Sequence, residues 1–169
     1  MAGGTREHNL IAGNIVREVG NVLRDRPCEV YPSDMRIWIP EAELYTYPDA
    51  SVVCEPPRFK DDVRDTLLNP KVIFEVLSGS TESYDRGERF QHYRTLSSLV
   101  GYILVSQTTI LIERFERHDD GSWLLRESRA GDRLELPSLG CTIDVDELYL
   151  KVFPQPSADQ GEKPAEPSL

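Results

Sequence analysis

The stretch Val72-Ile73-Phe74-Glu75-Val76-Leu77 is apolar except for one carboxylate. A run of this length, rich in β-branched residues, is typical of a central strand that is buried on both faces. A carboxylate in such a strand costs several kcal/mol unless it is paired, protonated or bound to a metal. The stretch therefore predicts a buried strand and marks Glu75 as a candidate functional residue.

A second acidic residue stands at the start of an apolar run further upstream. Asp49 follows Tyr47-Pro48 and opens the run from Ala50 to Cys54. If this run pairs antiparallel with the strand of Glu75, the start of one strand lies beside the end of the other. Two neighbouring carboxylates repel each other, and a divalent cation is the usual remedy. Asp49 and Glu75 are therefore candidate metal ligands.

The rest of the chain alternates between helical and strand patterns. Residues Arg6 to Leu23 carry apolar positions with a period near 3.6, which predicts a helix with Thr5 as its N-cap. A second helix is predicted over Glu82 to Leu96, and residues 56–69 are predicted to be a polar loop. Further strands are predicted over residues 29–31, 34–39, 100–106, 108–115, 123–127, 133–136 and 141–143. This order predicts an α/β or α+β fold with a mixed sheet.

Length and composition limit the class of protein. The 169 residues fit one domain, placed at residues 1–153, and the Pro-, Glu- and Ser-rich residues 154–169 are predicted to be a disordered acidic tail. No stretch approaches the roughly 18 apolar residues of a membrane span, and residues 1–6 have no apolar signal core. A cytoplasmic protein without a membrane partner is therefore expected. The net charge of −10 argues against a simple nucleic-acid coat protein.

Several other reactive side chains are predicted to be structural. Tyr84 and Tyr93 are interpreted as core aromatics, and His8 and His92 as surface or rim residues. The cysteines lie far apart without metal-ligand spacing, and we expect reduced, buried thiols. They are Cys28, Cys54 and Cys141.

Several segments, in order along the chain, resemble the Uma-type restriction endonuclease family, which is expanded in cyanobacteria. The similar segments are Tyr45–Cys54, Asn69–Phe90, Tyr93-Arg94, Leu136–Gly140 and Leu148-Tyr149. The resemblance covers about residues 6–150. It implies an α/β, restriction-endonuclease-like fold of the PD-(D/E)XK type, with a mixed β-sheet flanked by helices. It also implies Mg²⁺- or Mn²⁺-dependent hydrolysis of phosphodiester bonds in DNA.

The resemblance assigns roles to individual positions. Asp49 and Glu75 match the acidic residues that hold the metal, and Glu7 on the first helix matches an acid that often joins such a site. The lysine expected two residues after Glu75 is Leu77 here, and the basic residue of the following helix is Arg89. An arginine can stabilise a charged transition state but cannot act as a base.

Each candidate also has a purely structural interpretation. Asp49 could start a strand or cap a turn, and Glu7 could serve only the helix dipole. Glu75 could be the buried ion-pair partner of an arginine, Arg86 or Arg89. Asp85, the second supporting residue, could cap its helix or orient Arg89.

Three functions therefore remain open from the sequence. The first is a metal-dependent DNA endonuclease with Asp49, Glu75 and Arg89 as catalytic residues, supported by Glu7 and Asp85, with a homodimer left open. The second is a catalytically impaired protein of the same fold that binds nucleic acid or protein. The third is a structural or assembly protein in which Asp49, Glu75 and Arg89 form a buried ion network.

Overall fold

The computed structural model describes residues 3–154, which form four α-helices, two short 3-10 helices and eleven strands. The helices are α1 (Arg6–Val22), α2 (Glu82–Arg86), α3 (Glu88–Tyr93) and α4 (Val145–Leu148). The strands are β1 (Glu29–Pro32), β2 (Arg36–Ile39), β3 (Leu44–Thr46), β4 (Ala50–Val53), β5 (Thr66–Leu67), β6 (Val72–Leu77), β7 (Gly101–Ser106), β8 (Leu111–Arg117), β9 (Trp123–Arg129), β10 (Arg133–Leu136) and β11 (Cys141–Asp144).

A six-stranded mixed sheet in the order β1-β4-β6-β7-β8-β9 forms the centre of the fold. Its β6 and β7 run parallel, and every other neighbouring pair is antiparallel. The crossover between β6 and β7 contains α2 and α3, as a parallel pair requires. Two smaller sheets, β3-β2-β5 and β10-β11, complete the structure. The predicted α/β class with a mixed sheet flanked by helices is confirmed.

Helix α1 covers one face of the central sheet. Its stripe Ile11, Ile15 and Val19 is buried against Phe74 and Val76 of β6. The helix begins where the sequence predicts, because the hydroxyl of its N-cap Thr5 accepts a hydrogen bond from the backbone N–H three residues later. This packing fixes the first turn of α1 against the sheet.

The opposite face of the sheet is covered by α3 and by the small sheet β3-β2-β5. Ile37 and Leu67 of the small sheet pack with Ile73, Leu77 and the two rings Phe90 and Tyr102. The two predictions that fail here concern short elements. The helix predicted over residues 82–96 is divided at Gly87, and the predicted loop 56–69 contains the two-residue strand β5. Strands this short carry too little periodicity to be recognised.

The cysteine prediction is wrong for two of the three residues. Cys28 and Cys54 form a disulfide, whereas Cys141 is a half-buried free thiol. The cause is strand register: β1 pairs antiparallel with β4 so that Glu29 lies opposite Val53. The next pair outward is therefore Cys28 and Cys54, whose Cα atoms are 4.0 Å apart.

The predicted tail, residues 154–169, lies outside the described residues apart from Pro154. From α1 to α4 the described elements fall within the predicted domain, residues 1–153. In that described part of the chain, none of the helices has the length and apolar character needed to cross a membrane.

Candidate functional site

The register of β4 and β6 brings the two predicted carboxylates together. The strands pair antiparallel, with Ala50 opposite Phe74, so that the next pair outward is Asp49 and Glu75. Asp49 Oδ2 accepts a hydrogen bond of 2.7 Å from the backbone N–H of Val76, which ties its carboxylate to the end of β6. The expected antiparallel pairing is therefore confirmed, and the two acids come from neighbouring strands.

Glu75 is buried, with 2 % of its surface exposed. Because side chains alternate along a strand, Glu75 points away from α1 and towards α3. Its Oε1 accepts a hydrogen bond of 3.0 Å from the Tyr93 hydroxyl and lies 3.1 Å from Arg89 Nη1. The carboxyl group is thus paired, as a buried charge requires.

Arg89 bridges two carboxyl groups. The same Nη1 atom that contacts Glu75 lies 3.1 Å from Oδ1 of Asp85, which is itself buried. Oδ2 of Asp85 accepts a hydrogen bond of 2.7 Å from the Thr81 hydroxyl. The division of the helix at Gly87 separates Asp85 on α2 from Arg89 on α3, and both side chains face the end of β6.

The electrostatics of the cluster favour the uptake of positive charge. Burial raises the pKa of Glu75 to about 8; the carboxylates of Asp49 and Asp85 add to this rise, and Arg89 opposes it. Burial also raises the pKa of Asp85. For Arg89, burial alone lowers the pKa, but Glu75 and its neighbours hold it above its usual range, so the guanidinium stays charged. The raised pKa values of Glu75 and Asp85 show that burial disfavours the charged forms of these two acids beside their shared arginine.

Helix α1 contributes His8 to the cluster. Its Nε2 lies 3.0 Å from Oδ1 of Asp49, and this hydrogen bond raises the pKa of His8. Glu7, which the sequence analysis named as a supporting acid, forms an ion pair with Arg6 at 3.4 Å. The sequence interpretation placed His8 at the surface or rim. The only signal for its contact is its position beside Glu7 in the first turn of the helix that packs on β6.

The aromatic residues of the cluster differ from their prediction in one case. Tyr93 is fully buried, as predicted, but its hydroxyl also joins the site, since it accepts from Thr46 and donates to Glu75. Tyr84 was expected in the core, and this prediction is wrong. Its ring is 37 % exposed and lies against the Arg89 guanidinium, 5.2 Å from it. A cation on one side of the ring makes this rim position favourable.

The number of available protein ligands limits the metals that fit. Within residues 3–154, no group of three or more His, Cys, Asp or Glu side chains is arranged to hold a metal ion. Mg²⁺ needs fewer, because it is often bound through one or two carboxylates and completes its shell with water and substrate phosphate. The oxygen donors of Asp49 and Glu75 therefore fit Mg²⁺ or Mn²⁺, and they do not fit a closed zinc site.

The fold and the site define the class of protein. A mixed sheet with one acid at the start of a central strand, and a second near the end of its antiparallel neighbour, is of the restriction-endonuclease-like class. A family model described as "Uma2: Putative restriction endonuclease" matches residues 1–146. The chain belongs to the Uma2 family.

The chain is also similar to two curated proteins and to one solved structure. The chain is 40 % identical over 149 residues to the uncharacterized protein slr1290 of Synechocystis sp., covering 88 % of this chain and 77 % of the relative. It is 39 % identical over 127 residues to the uncharacterized protein sll1609 of the same organism, covering 75 % and 72 %. The crystal structure of a putative nuclease belonging to DUF820 from Anabaena variabilis matches with a TM-score of 0.71. At 15 % identity, with 90 % of this chain and 84 % of that chain covered, this likeness shows the fold.

Proposed function

We propose that this protein is a divalent-metal-dependent nuclease that hydrolyses phosphodiester bonds in DNA. The observation that carries the proposal is the pairing of β4 with β6, which sets Asp49 opposite Glu75 in a chain of the Uma2 family. Asp49 and Glu75 would hold Mg²⁺ or Mn²⁺. When bound, the metal would polarise the phosphoryl group and lower the pKa of a bound water.

The surrounding residues hold the two carboxylates in fixed positions. The backbone N–H of Val76 donates a hydrogen bond to one oxygen of Asp49, and the imidazole of His8 pairs with the other oxygen. The Tyr93 hydroxyl donates a hydrogen bond to Oε1 of Glu75. These contacts leave each acid oriented before substrate arrives, which is what a preorganised site needs. Glu7, one residue before His8 on α1, would be a supporting acid at the edge of the site.

Arg89 would stabilise negative charge on the phosphoryl group during hydrolysis. Asp85 would position it, because the two side chains form an ion pair of 3.1 Å. A guanidinium remains protonated throughout the working pH range and therefore cannot remove a proton from water. The position two residues after Glu75 is apolar Leu77, so the expected lysine is missing there too. We therefore expect slow hydrolysis by the native chain.

A second function is favoured by the position of the same arginine. Arg89 Nη1 lies between Glu75 and Asp85, so the positive charge that a metal would supply is already partly provided by a side chain. In this case the protein would keep the nuclease fold and bind nucleic acid or protein without cleaving it. The two proposals differ in whether a divalent cation displaces Arg89 from Glu75.

Nicking of supercoiled plasmid DNA in Mn²⁺ or Mg²⁺ separates the two functions. Arg89→Lys replaces a fixed cation by one that can exchange a proton, and one well-placed acid–base group changes a rate by roughly 10²–10⁴-fold. We expect Arg89→Lys to nick faster than the native protein, and Glu75→Ala to abolish nicking in both backgrounds. Arg129→Lys, an exposed arginine on β9, is the matched control. If native protein and Arg89→Lys are equally inert in Mg²⁺ and in Mn²⁺, the binding function is the better account.

A further inference from the structure

The small sheet β3-β2-β5 carries aromatic side chains on its outer face. Its inner side chains Ile37 and Ile39 are buried in the core. On the outer face Trp38 lies directly opposite Tyr45, and their ring centroids are 4.5 Å apart. The outer face therefore carries an aromatic pair where a solvent-facing strand usually carries polar side chains.

Two tyrosines of this face are exposed and lead to the acidic site. Tyr45 is 41 % and Tyr47 is 56 % exposed, and both belong to the segment that runs from β3 into Asp49. Tyr47 is only two residues from Asp49, which at about 3.3 Å per extended residue is within one nucleotide's reach of the carboxylates. We call the rings of Trp38, Tyr45 and Tyr47 the aromatic track.

Cations lie directly against these rings. Lys60 Nζ is 3.8 Å from the ring centroid of Trp38 and 4.5 Å from that of Tyr45, and it also donates to the Tyr45 hydroxyl. Arg36 lies 5.0 Å from the Tyr45 centroid on the same face, where Asp65 pairs with it at 2.8 Å. Two cations therefore lie beside the Trp38 and Tyr45 rings of the track.

Two cavities that share Arg58 and Ser98 continue the track away from the acidic site. One has a volume of about 450 Å³ and is lined by Trp38 and Lys60; the other has a volume of about 530 Å³ and is lined by Lys71. The lining cations are Arg58, Lys60 and Lys71, and the lining carboxylates are Glu41 and Glu55. The cavities thus carry three cations against two carboxylates, in a chain whose net charge is −10.

We propose that the aromatic track and the adjoining cavities bind one strand of nucleic acid and lead it to Asp49. Unpaired bases stack on exposed aromatic rings, and the phosphates between them pair with interleaved cations. The bases of an intact duplex are stacked on one another, so they cannot reach flat protein rings. The inference rests on the proposed nuclease function and sharpens it: the substrate is single-stranded or locally unpaired nucleic acid.

Fluorescence anisotropy tests the inference without catalysis. Native protein in EDTA is titrated into a labelled DNA strand of about 16 nucleotides, which is the upper end of what one small domain covers. The same strand in a blunt duplex and an RNA strand serve as parallel probes. We expect single strands to bind more tightly than the duplex. Tyr45→Ala and Tyr47→Ala should each weaken single-strand binding about tenfold, as loss of one stacking ring does. Tyr45→Phe and Tyr47→Phe, which keep the rings, should bind like the native protein.

The salt dependence isolates the role of the cations. Lys60→Gln should reduce the slope of log affinity against log salt by about 0.7, the value for one phosphate contact on a single strand. Arg126→Gln, which removes an exposed cation from the cavity beside β9, should leave both slope and affinity unchanged. A circular dichroism spectrum identical to that of the native protein ensures that each variant is folded.

The outcomes separate this inference from the proposed nuclease function. If the protein nicks DNA but the tyrosine variants bind single strands as tightly as the native protein, the track is excluded and the nuclease function stands. If the track binds single strands but no variant ever cleaves, the track stands and the nuclease function fails. Equal or tighter binding of the intact duplex overturns the inference.

Discussion

The two faces of strand β6 differ sharply in what they bury. Phe74 and Val76 point towards α1 and pack with apolar side chains such as Ile11 and Ile15. Glu75, between them in sequence, points to the other face and meets Tyr93 and the arginine of α3. One strand therefore supplies an apolar core on one face, and the candidate site together with a second apolar cluster on the other.

The covering elements show the same contrast. Helix α1 is one continuous helix of 17 residues with a regular apolar stripe. On the other face, α2 and α3 are short and are divided at Gly87, and this division aligns Asp85 and Arg89 with Glu75. The continuous helix covers the apolar face, and the divided helices carry the charged side chains Asp85 and Arg89. The predictions below test how far the two faces are independent.

The largest effect on stability is expected on the apolar face. Phe74→Ala removes a ring that is fully buried against α1 and should lower the free energy of unfolding by about 3–5 kcal/mol. Phe115→Ala, a half-buried ring packed on the opposite face, is the matched control and should cost less. Urea denaturation measures both. A loss below about 1 kcal/mol for Phe74→Ala would show that α1 does not anchor the sheet.

On the charged face, removal of the cation should have an effect that depends on pH. Arg89→Met leaves Glu75 and Asp85 buried without their shared partner, and breaking a buried pair costs roughly 3–5 kcal/mol when both acids are ionised. The loss should be greatest near pH 9 and smaller near pH 6, where Glu75, with a pKa of about 8, is protonated. Denaturation of the variant at both pH values measures this. Arg17→Met, at an exposed pair, should show no such difference.

The native protein should lose stability as pH rises. The folded pKa of Glu75 lies above its value in an unfolded chain, so between about pH 4.5 and pH 8 the folded state holds more protons and stability falls with pH. The raised pKa values of Asp85 and His8 act in the same direction. The Glu75→Gln variant lacks the contribution of Glu75 to this pH dependence. The melting temperature of the variant should therefore vary less with pH across this interval. Parallel curves for variant and native protein would contradict the assignment.

The smallest effect on stability is expected from removal of the Tyr93 hydroxyl, which connects Thr46 to Glu75. Tyr93→Phe keeps the ring in the core but removes the bonds to Thr46 and Glu75. The loss should be about 1 kcal/mol, the usual net contribution of such a hydrogen bond. The same substitution at Tyr31, a partly exposed residue whose hydroxyl bonds to Glu29, is the control. If Tyr93→Phe is as costly as Phe74→Ala, the charged face contributes to stability as much as the apolar one.

The sequence predicts those features that depend on local pattern. The strand Val72–Leu77, the start of α1 at Thr5 and the antiparallel meeting of Asp49 with Glu75 all follow from hydrophobic periodicity, capping chemistry and strand geometry. A buried carboxylate in an apolar run is informative because burial without a partner is so unfavourable.

The features that the sequence does not predict depend on how distant elements dock. His8 reaches Asp49 because α1 packs across β4 and β6, and beyond its place in the first turn of α1 nothing in its local sequence distinguishes it from a surface histidine. Cys28 meets Cys54 through the register of β1 and β4, which spacing in sequence does not show. The hydroxyl network of Tyr93 depends on β3, a strand of three residues.

Calorimetric titration with Mn²⁺ tests the central claim most directly, namely that Asp49 and Glu75 together hold a divalent cation. We expect the native protein to bind Mn²⁺ at one site and to melt at a higher temperature in its presence, since a ligand of the folded state stabilises it. Asp49→Asn should abolish both effects, whereas Asp120→Asn, in the exposed turn between β8 and β9, should change neither. Absence of binding at millimolar Mn²⁺, or binding that Asp49→Asn leaves intact, would contradict the account.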